Sequence, residues 1–146
     1  MDVLRRDPAA TCVITDFDGT LAAIVADPTT ARPLPGAVAT LTGLCARMGR
    51  VAVVSGRPAQ FLAEHVLPAA GPAPENLRLI GLYGLEKVGP DGAVTAVPEA
   101  EPWRGAVEDA AARAEAGAPP GARVERKGLS VTLHWREHPE VESWAL

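Results

Sequence analysis

An apolar run that ends in two acidic residues is the feature that most constrains the fold. Residues 12–14, Cys-Val-Ile, are short, apolar and partly β-branched, which predicts a buried strand. Asp16 and Asp18 follow this strand, and Gly19 permits a tight turn there. Buried strands of this kind belong to parallel sheets, whose ligands bind beyond the carboxyl ends of the strands. We therefore expect the two carboxylates to converge at that edge.

A simple turn is the alternative explanation of this stretch. An Asx-Gly turn at the end of a strand accounts for Asp18 and Gly19. It does not account for Asp16, because two neighbouring carboxylates repel each other unless a cation is present. We therefore favour a functional site.

A second apolar run, residues 51–54, ends in a hydroxyl, a glycine and a cation, namely Ser55, Gly56 and Arg57. A helix is predicted to follow over residues 58–66, so its N–H groups and its positive dipole end would lie beside the strand end. Ser55 can bond a phosphate oxygen, and Arg57 can donate two N–H groups to an anion. Since consecutive parallel strands often pair, Asp16 and Ser55 should flank one crevice.

Helical spacing of apolar residues between these strands completes a strand–helix–strand unit. The helix is predicted to hold Pro35 in its first turn and to end near Met48, with Gly49 as its cap. A third strand is predicted at residues 77–80, followed by a hairpin that turns at residues 90–92.

Two glycines around an aromatic residue, Gly81 and Gly84 around Tyr83, follow the third strand. They indicate close approach of the backbone at the same edge. A plain loop explains them equally well.

A different pattern begins at residue 99. It comprises a helix and two alternating strands, at residues 103–116, 123–127 and 130–136. The alternation gives the strands one apolar side, expected to pack against the helix that carries Trp103. Glu125 and Lys127 share the polar side, which suits a ligand rich in hydroxyl groups. A solvated sheet face is the commoner outcome of such alternation.

Composition narrows the class of protein. The 146 residues suffice for one domain, or for one domain and a small second piece, and 47% of them are hydrophobic, which disfavours disorder. A net charge of −4 without a basic stripe argues against nucleic acid as a partner. Cys12 and Cys45 lie in apolar contexts and are expected to be buried thiols. Residues 1–8 lack a signal-peptide core and no segment has transmembrane length, which predicts a cytoplasmic protein without membrane partners.

Several motifs resemble those of one phosphatase family. Residues 16–21, Asp-Phe-Asp-Gly-Thr-Leu, resemble the first motif of the haloacid-dehalogenase (HAD) superfamily, and residues 55–57 resemble its second motif. The narrower resemblance is to trehalose-6-phosphate phosphatases, and it is carried by residues 18–28, 53–57, 81–86, 124–127 and 133–136.

The resemblance implies an α/β fold, with an incomplete HAD-like Rossmann-like core over residues 1–98 and the start of an α/β cap over residues 99–146. It implies Mg²⁺ as cofactor, held by Asp16 and Asp18, and an aspartyl-phosphate intermediate. Asp16 would be the nucleophile and Asp18 the general acid and base. The phosphoryl group would be bound by Thr20, Ser55 and Gly56. The sugar-phosphate substrate would be bound by Arg57, Tyr83, Gly84, Glu125 and Lys127.

Three departures from the family pattern stand out. Tyr83 replaces the usual His, and Trp135 replaces the commoner Tyr. The third-motif lysine and fourth-motif acidic pair are missing, since Lys87 and Lys127 are the only lysines and no later strand ends in two acids. The chain is therefore expected to be an N-terminal portion, poorly active alone, of an enzyme of trehalose biosynthesis that hydrolyses trehalose 6-phosphate.

Two alternatives stay open. The chain could be part of another HAD sugar-phosphate phosphatase, which Glu125 and Lys127 disfavour. It could also be a non-catalytic remnant that binds a sugar phosphate or a trehalose-6-phosphate synthase partner.

A sheet without its later strands is expected to expose an open edge and apolar surface.

Overall fold

The computed structural model describes residues 6–67 and 72–146. The chain divides into two compact units, Met1–Thr95 and Ala96–Leu146. The boundary expected at residues 98 and 99 remains a prediction. Part of the N-terminal stretch behind the cytoplasmic prediction, residues 1–5, lies outside the described residues. No helix among the residues described has the length and apolarity needed to cross a membrane.

The first unit is built on a five-stranded sheet with strand order β1-β2-β3-β4-β5. The strands are β1 (Cys12–Thr15), β2 (Arg50–Val54), β3 (Leu77–Gly81), β4 (Glu86–Val88) and β5 (Val94–Ala96). β1 pairs with β2 and β2 with β3 in parallel, while β3 and β4 are antiparallel. The sheet confirms the predicted α/β class, the pairing of consecutive strands and the hairpin.

Two helices connect the parallel strands, α1 (Ala37–Cys45) and α2 (Ala59–Val66). The predicted bounds of α1 were wrong at both ends. Gly36, with φ of 83°, is its N-cap, so Pro35 precedes the helix instead of opening it. Gly49 lies well past the helix end, and a side chain there would overlap the carbonyl oxygen of Ala9. Gly49 is therefore required by a close backbone approach, which local sequence does not reveal.

The core of the first unit lies around β2 and α2. Large, fully buried side chains of this core come from the turn after β1, from β2 and from α2, and include Phe17, Val51, Val53, Leu62 and Val66. The apolar, β-branched run of β2 is thus buried as its pattern predicts.

β1 differs from the prediction of a buried strand. Ile14 is 68% exposed and Cys12 is also exposed, so the prediction of two buried thiols is wrong for Cys12 and confirmed for Cys45. β1 is the first strand in the sheet order and, within the described part of the chain, pairs only with β2. β-branching favours an extended backbone but does not determine what covers a strand. Because β1 lies at the edge of the sheet, it has an open edge and exposes the apolar side chain of Ile14.

The second unit is a helix against a two-stranded antiparallel sheet, with a short helix at its end. Its elements are α3 (Arg104–Ala116), β6 (Arg123–Arg126), β7 (Val131–His134) and α4 (Glu142–Ala145). Arg126 pairs with Glu108 and Glu115 of α3, and Ala111 is the buried residue of that helix. α3 therefore packs on the sheet as predicted, but Trp103 does not take part in the way expected, because it is 67% exposed.

Candidate active site

The residues predicted to meet at one sheet edge follow the three parallel strands. Asp16 comes directly after β1, Ser55 directly after β2, and Tyr83 shortly after the end of β3. The register aligns Thr15 with Val53, so the first two strands end at nearly the same level. The parallel pairing thus brings the predicted residues of the first unit to one edge.

The loop after β1 is organised by the buried Phe17. Its carbonyl oxygen accepts hydrogen bonds from the N–H groups of Leu21 and Ala22, both at 2.9 Å, and from Thr20 at 3.3 Å. Gly19 adopts φ of 79°, which confirms the tight turn. Asp16 lies exposed at the start of this loop, and its Oδ1 accepts a hydrogen bond from the backbone N of Phe17 at 2.6 Å. One buried aromatic residue therefore fixes the backbone that carries Asp16, Asp18 and Thr20.

Asp18 is bound by Arg57. Nε of Arg57 lies 2.9 Å from Oδ2 of Asp18, and Nη2 lies 2.7 Å from Oδ1. The two residues are 39 positions apart in the chain, and no pattern of neighbouring residues predicts their pairing. The sequence instead suggests Arg57 as a substrate-binding residue.

Ser55 is almost completely buried, with 3% exposure. Its Oγ accepts a hydrogen bond from the backbone N of Arg57 at 3.3 Å, and its carbonyl oxygen accepts one from the backbone N of Tyr83 at 3.0 Å. Ser55 therefore joins the turn after β2 to the turn after β3. Any role in binding phosphate must be combined with this structural one.

Tyr83 lies over Gly56. A Cβ on Gly56 would overlap the phenol ring of Tyr83, although that ring is otherwise 84% exposed. Leu82 and Tyr83 both have positive φ, 48° and 57°, so this turn is tightly constrained. Gly84 also has positive φ, 111°, and lies in open space.

Gly81 makes the close approach that the glycine pattern indicates. A Cβ there would lie 2.7 Å from Cα of Ala59 and 2.8 Å from the carbonyl oxygen of Arg57. The backbone of β3 therefore packs directly on the start of α2.

Glu86 was missed by the sequence reasoning. Its Oε2 accepts a hydrogen bond from the backbone N of Ala59, the first residue of α2, at 2.9 Å. One N–H group that the sequence assigns to anion binding is thus already engaged. An acidic residue just after a third strand is too common a signal to predict this contact.

The second unit holds a separate polar cluster on β6 and β7. Oε2 of Glu125 lies 3.3 Å from Nζ of Lys127 and 2.8 Å from Nε2 of His134. Burial opposes ionisation of Glu125, but the hydrogen bond to His134 and the charge of Lys127 outweigh it and hold the pKa of Glu125 below its ordinary value. His134 was not selected from the sequence, although its alternation places it on the same polar side as Glu125.

The turn after β1 offers few side-chain ligands for a hard cation such as Mg²⁺. Across residues 6–67 and 72–146 there is no group of three or more His, Cys, Asp and Glu residues arranged to hold a metal ion. Mg²⁺ is commonly held by one or two carboxylates together with water and substrate phosphate. The exposed carboxylate of Asp16 fits that requirement, whereas both carboxylate oxygens of Asp18 face Arg57.

A mixed sheet with three parallel strands, and with two aspartates on the turn after its first strand, is the fold of the haloacid-dehalogenase class of phosphatases. The C-terminal domain of Candida albicans trehalose-6-phosphate phosphatase shares this fold, with a TM-score of 0.70 and 23% identity over 96% of this chain and 48% of that one. An Aspergillus fumigatus trehalose-6-phosphate phosphatase structure is 26% identical with a TM-score of 0.52, covering 96% of this chain and 51% of the other.

The chain belongs to the trehalose-phosphatase family, whose sequence model matches residues 14–145. A trehalose-phosphate phosphatase of Mycolicibacterium paratuberculosis is 39% identical over 138 residues, which is 90% of this chain and 32% of the relative. The trehalose-phosphate phosphatase of Mycobacterium leprae is 38% identical over 92% of this chain and 30% of its own length. The chain thus spans about a third of the length of these curated relatives.

Proposed function

We propose that the full-length protein that carries this chain hydrolyses trehalose 6-phosphate to trehalose and phosphate. The observation that carries the proposal is the pair Asp16 and Asp18 on the turn after β1, in a chain of the trehalose-phosphatase family. An exposed carboxylate at a strand end is suited to attack a phosphate ester, and the adjacent carboxyl group is suited to move protons.

Asp16 is the proposed nucleophile. The hydrogen bond from the backbone N of Phe17 to Oδ1 restricts the orientation of its carboxylate. One oxygen attacks phosphorus, the bond between phosphorus and the sugar oxygen breaks, and Asp18 gives its proton to that oxygen. In the second step water attacks phosphorus, Asp18 takes the proton from this water, and the bond from Asp16 to phosphorus breaks. Asp18 is thereby returned to its starting protonation state.

Thr20, Ser55 and Gly56 are the proposed phosphate-binding residues. Gly56 and Ser55 lie in the turn after β2, and Thr20 lies on the loop held by Phe17. Ser55 would supply its hydroxyl to the phosphoryl group while its backbone continues to join the two turns.

Mg²⁺ is the proposed cofactor, held by the carboxylate of Asp16 and the backbone carbonyl of Asp18. When bound, such an ion offsets the negative charge of the phosphoryl group. This assignment places no metal ion on the Asp18 side chain, whose carboxylate oxygens face Arg57.

Glu125 and Lys127 are the proposed sugar-binding residues of the second unit, and Tyr83 and Gly84 those of the first. A carboxylate and an ammonium group can accept and donate hydrogen bonds to sugar hydroxyls. We further propose a trehalose-6-phosphate synthase as partner, because such an enzyme makes the substrate. We also propose a cytoplasmic location.

The test is phosphate release from trehalose 6-phosphate with Mg²⁺, with glucose 6-phosphate as the competing substrate. We expect the full-length protein to prefer trehalose 6-phosphate and Asp16→Asn to abolish its turnover. Little turnover is expected from the 146-residue chain, since Lys87 lies on antiparallel β4 and Lys127 in the second unit, so neither follows a parallel strand. Preference for glucose 6-phosphate would favour another sugar phosphatase. Full activity of Asp16→Asn would exclude Asp16 as the nucleophile.

A further inference from the structure

Arg57 is held on several sides by residues of the first unit. Besides its two hydrogen bonds to Asp18, its Nη1 donates to the carbonyl oxygen of Pro28. The centre of its guanidinium lies 4.4 Å from the ring centroid of Phe61 on α2, and its side chain is only 13% exposed. A guanidinium engaged in this way is rigid, because its planar fork and its stacked face are both in use.

We propose that Arg57 is the positioning residue of Asp18 and does not bind the substrate. This inference rests on the proposed function, in which Asp18 is the general acid and base. The two parallel hydrogen bonds fix the plane of the Asp18 carboxylate as one bond could not. Turning Arg57 toward a substrate would break both bonds and the contact with Phe61, and it would leave the half-buried Asp18 without its cation.

Arg57 would affect the reaction only through Asp18. In the proposed reaction Asp18 gives a proton to the sugar oxygen in the first step and takes one from water in the second. Loss of the two hydrogen bonds from Arg57 should therefore slow each step that needs a correctly oriented Asp18 carboxyl group.

The pair itself can be tested in the 146-residue chain without any activity. The Nε–H signal of Arg57 in ¹⁵N NMR should be shifted and slow to exchange, and Asp18→Asn should remove both properties. Arg78 on β3 is the matched control, since its guanidinium donates to the backbone carbonyls of Glu75 and Leu77 and its signal should not respond. An Arg57 signal unaffected by Asp18→Asn would overturn the proposed pair.

The role of the pair is tested in the full-length protein with Arg57→Lys and Arg57→Met. Lysine keeps the charge but cannot donate two parallel N–H groups. Both variants should lower kcat for trehalose 6-phosphate by roughly 10²-fold or more, the usual value of a positioned acid–base group, with KM retained. Arg78→Lys should leave both parameters unchanged. A rise in KM with kcat retained would instead make Arg57 a substrate contact.

p-Nitrophenyl phosphate separates the two chemical steps. Its leaving group needs no proton, so the first step should survive the loss of Arg57 while the second slows. Arg57→Lys should therefore release about one equivalent of nitrophenol in a burst, the kinetic mark of a covalent intermediate, before slow turnover. Slow release without a burst would contradict a role of Arg57 that acts through Asp18. If unmutated protein releases no phosphate from trehalose 6-phosphate, the proposed function fails, whereas the NMR experiment still decides whether the pair exists.

Discussion

Glu86, which lies on β4, caps the first turn of α2. Its Oε2 accepts a hydrogen bond from the backbone N of Ala59 at 2.9 Å. Pro58, the residue before the helix, makes no side-chain cap, so Glu86 takes over that function from β4. The contact connects the hairpin to the helix that follows Arg57.

Loss of this cap should destabilise α2. We expect Glu86→Ala to lower the free energy of unfolding by about 1 kcal/mol, the usual value of an N-terminal cap, and Glu86→Gln to cost less because it keeps an acceptor. Amide hydrogen exchange in α2 measures the effect. Glu75→Ala, at an exposed position, is the control, and equal protection in Glu86→Ala and Glu75→Ala would contradict the capping role.

Gly81 and Gly56 should respond differently to alanine. A Cβ at Gly81 meets the backbone of Ala59 and Arg57, which cannot move away, so Gly81→Ala should cost about 1–3 kcal/mol. The atoms nearest to a Cβ at Gly56 belong to the exposed ring of Tyr83, which can turn into solvent. Thermal unfolding should therefore show a large loss for Gly81→Ala and a small one for Gly56→Ala.

Tyr83→Ala provides the control for this pair. It should restore the stability of Gly56→Ala and leave Gly81→Ala unimproved. Rescue of both variants, or of neither, would show that the ring of Tyr83 is not what Gly56 accommodates.

Acid should weaken the polar cluster of the second unit. The pKa of Glu125 is lowered: burial opposes ionisation, but His134 and Lys127 outweigh it. A carboxyl group with a lowered pKa stabilises the fold above its ordinary pKa of 4.5, and this contribution is lost as the pH falls through the lower folded value. His134→Gln should raise the pKa of Glu125, as read from the pH titration of its Cδ signal by NMR. Arg123, across from His134 in the register, is a further cation near this face.

Glu99→Gln is the control for the pH effect, since this exposed residue lies outside the cluster. It should leave the Cδ titration of Glu125 unchanged. A Glu125 titration that is the same with and without His134 would show that the hydrogen bond between them does not form in solution.

The exposed side chain of Ile14 should promote self-association. Ile14→Thr keeps the β-branched shape that suits β1 and removes apolar surface beside an unpaired strand edge. We expect less light scattering at a given concentration, with stability changed by no more than about 0.5 kcal/mol. Ile24→Thr, at an exposed loop position, should have a smaller effect because it lies outside the sheet. Equal effects would remove the edge of β1 as the cause.

The two cysteines should react at very different rates. Cys12 is exposed, whereas Cys45 is buried, and that burial raises the pKa of the Cys45 thiol. Since the thiolate is the reactive form, a thiol reagent should modify Cys12 quickly and Cys45 only on unfolding. Cys12→Ser should remove the fast phase, and a fast phase that persists in this variant would contradict the burial of Cys45.

Much of the fold was predictable because its signals are local. Short apolar runs predict β2 and β3, and helices were predicted close to the observed bounds of α2 and α3. The bounds of α1 could not be predicted in the same way. Gly36 adopts a left-handed conformation at the start of the helix, whereas Gly49 is required by the close approach of Ala9 and does not end the helix.

The candidate site divides along the same line. Asp16, Ser55 and Glu125 are recognisable because each stands in a motif of a few residues. The capping contact of Glu86 spans 27 residues, and the contact between Arg57 and Asp18 spans 39. Such contacts depend on how the turns at neighbouring strand ends face each other, which no short pattern encodes.

The sequence by itself determined the family, the order of strands and helices, and the residues at each strand end, because backbone preference and apolar spacing act over a few residues. Only the tertiary structure decided which faces are covered and which polar groups meet. In the tertiary structure Ile14 and Cys12 of β1 are exposed, and Arg57 forms an ion pair with Asp18. The physical reason is that burial and ion pairing depend on residues distant in the chain, brought together when β1 and β2 pair.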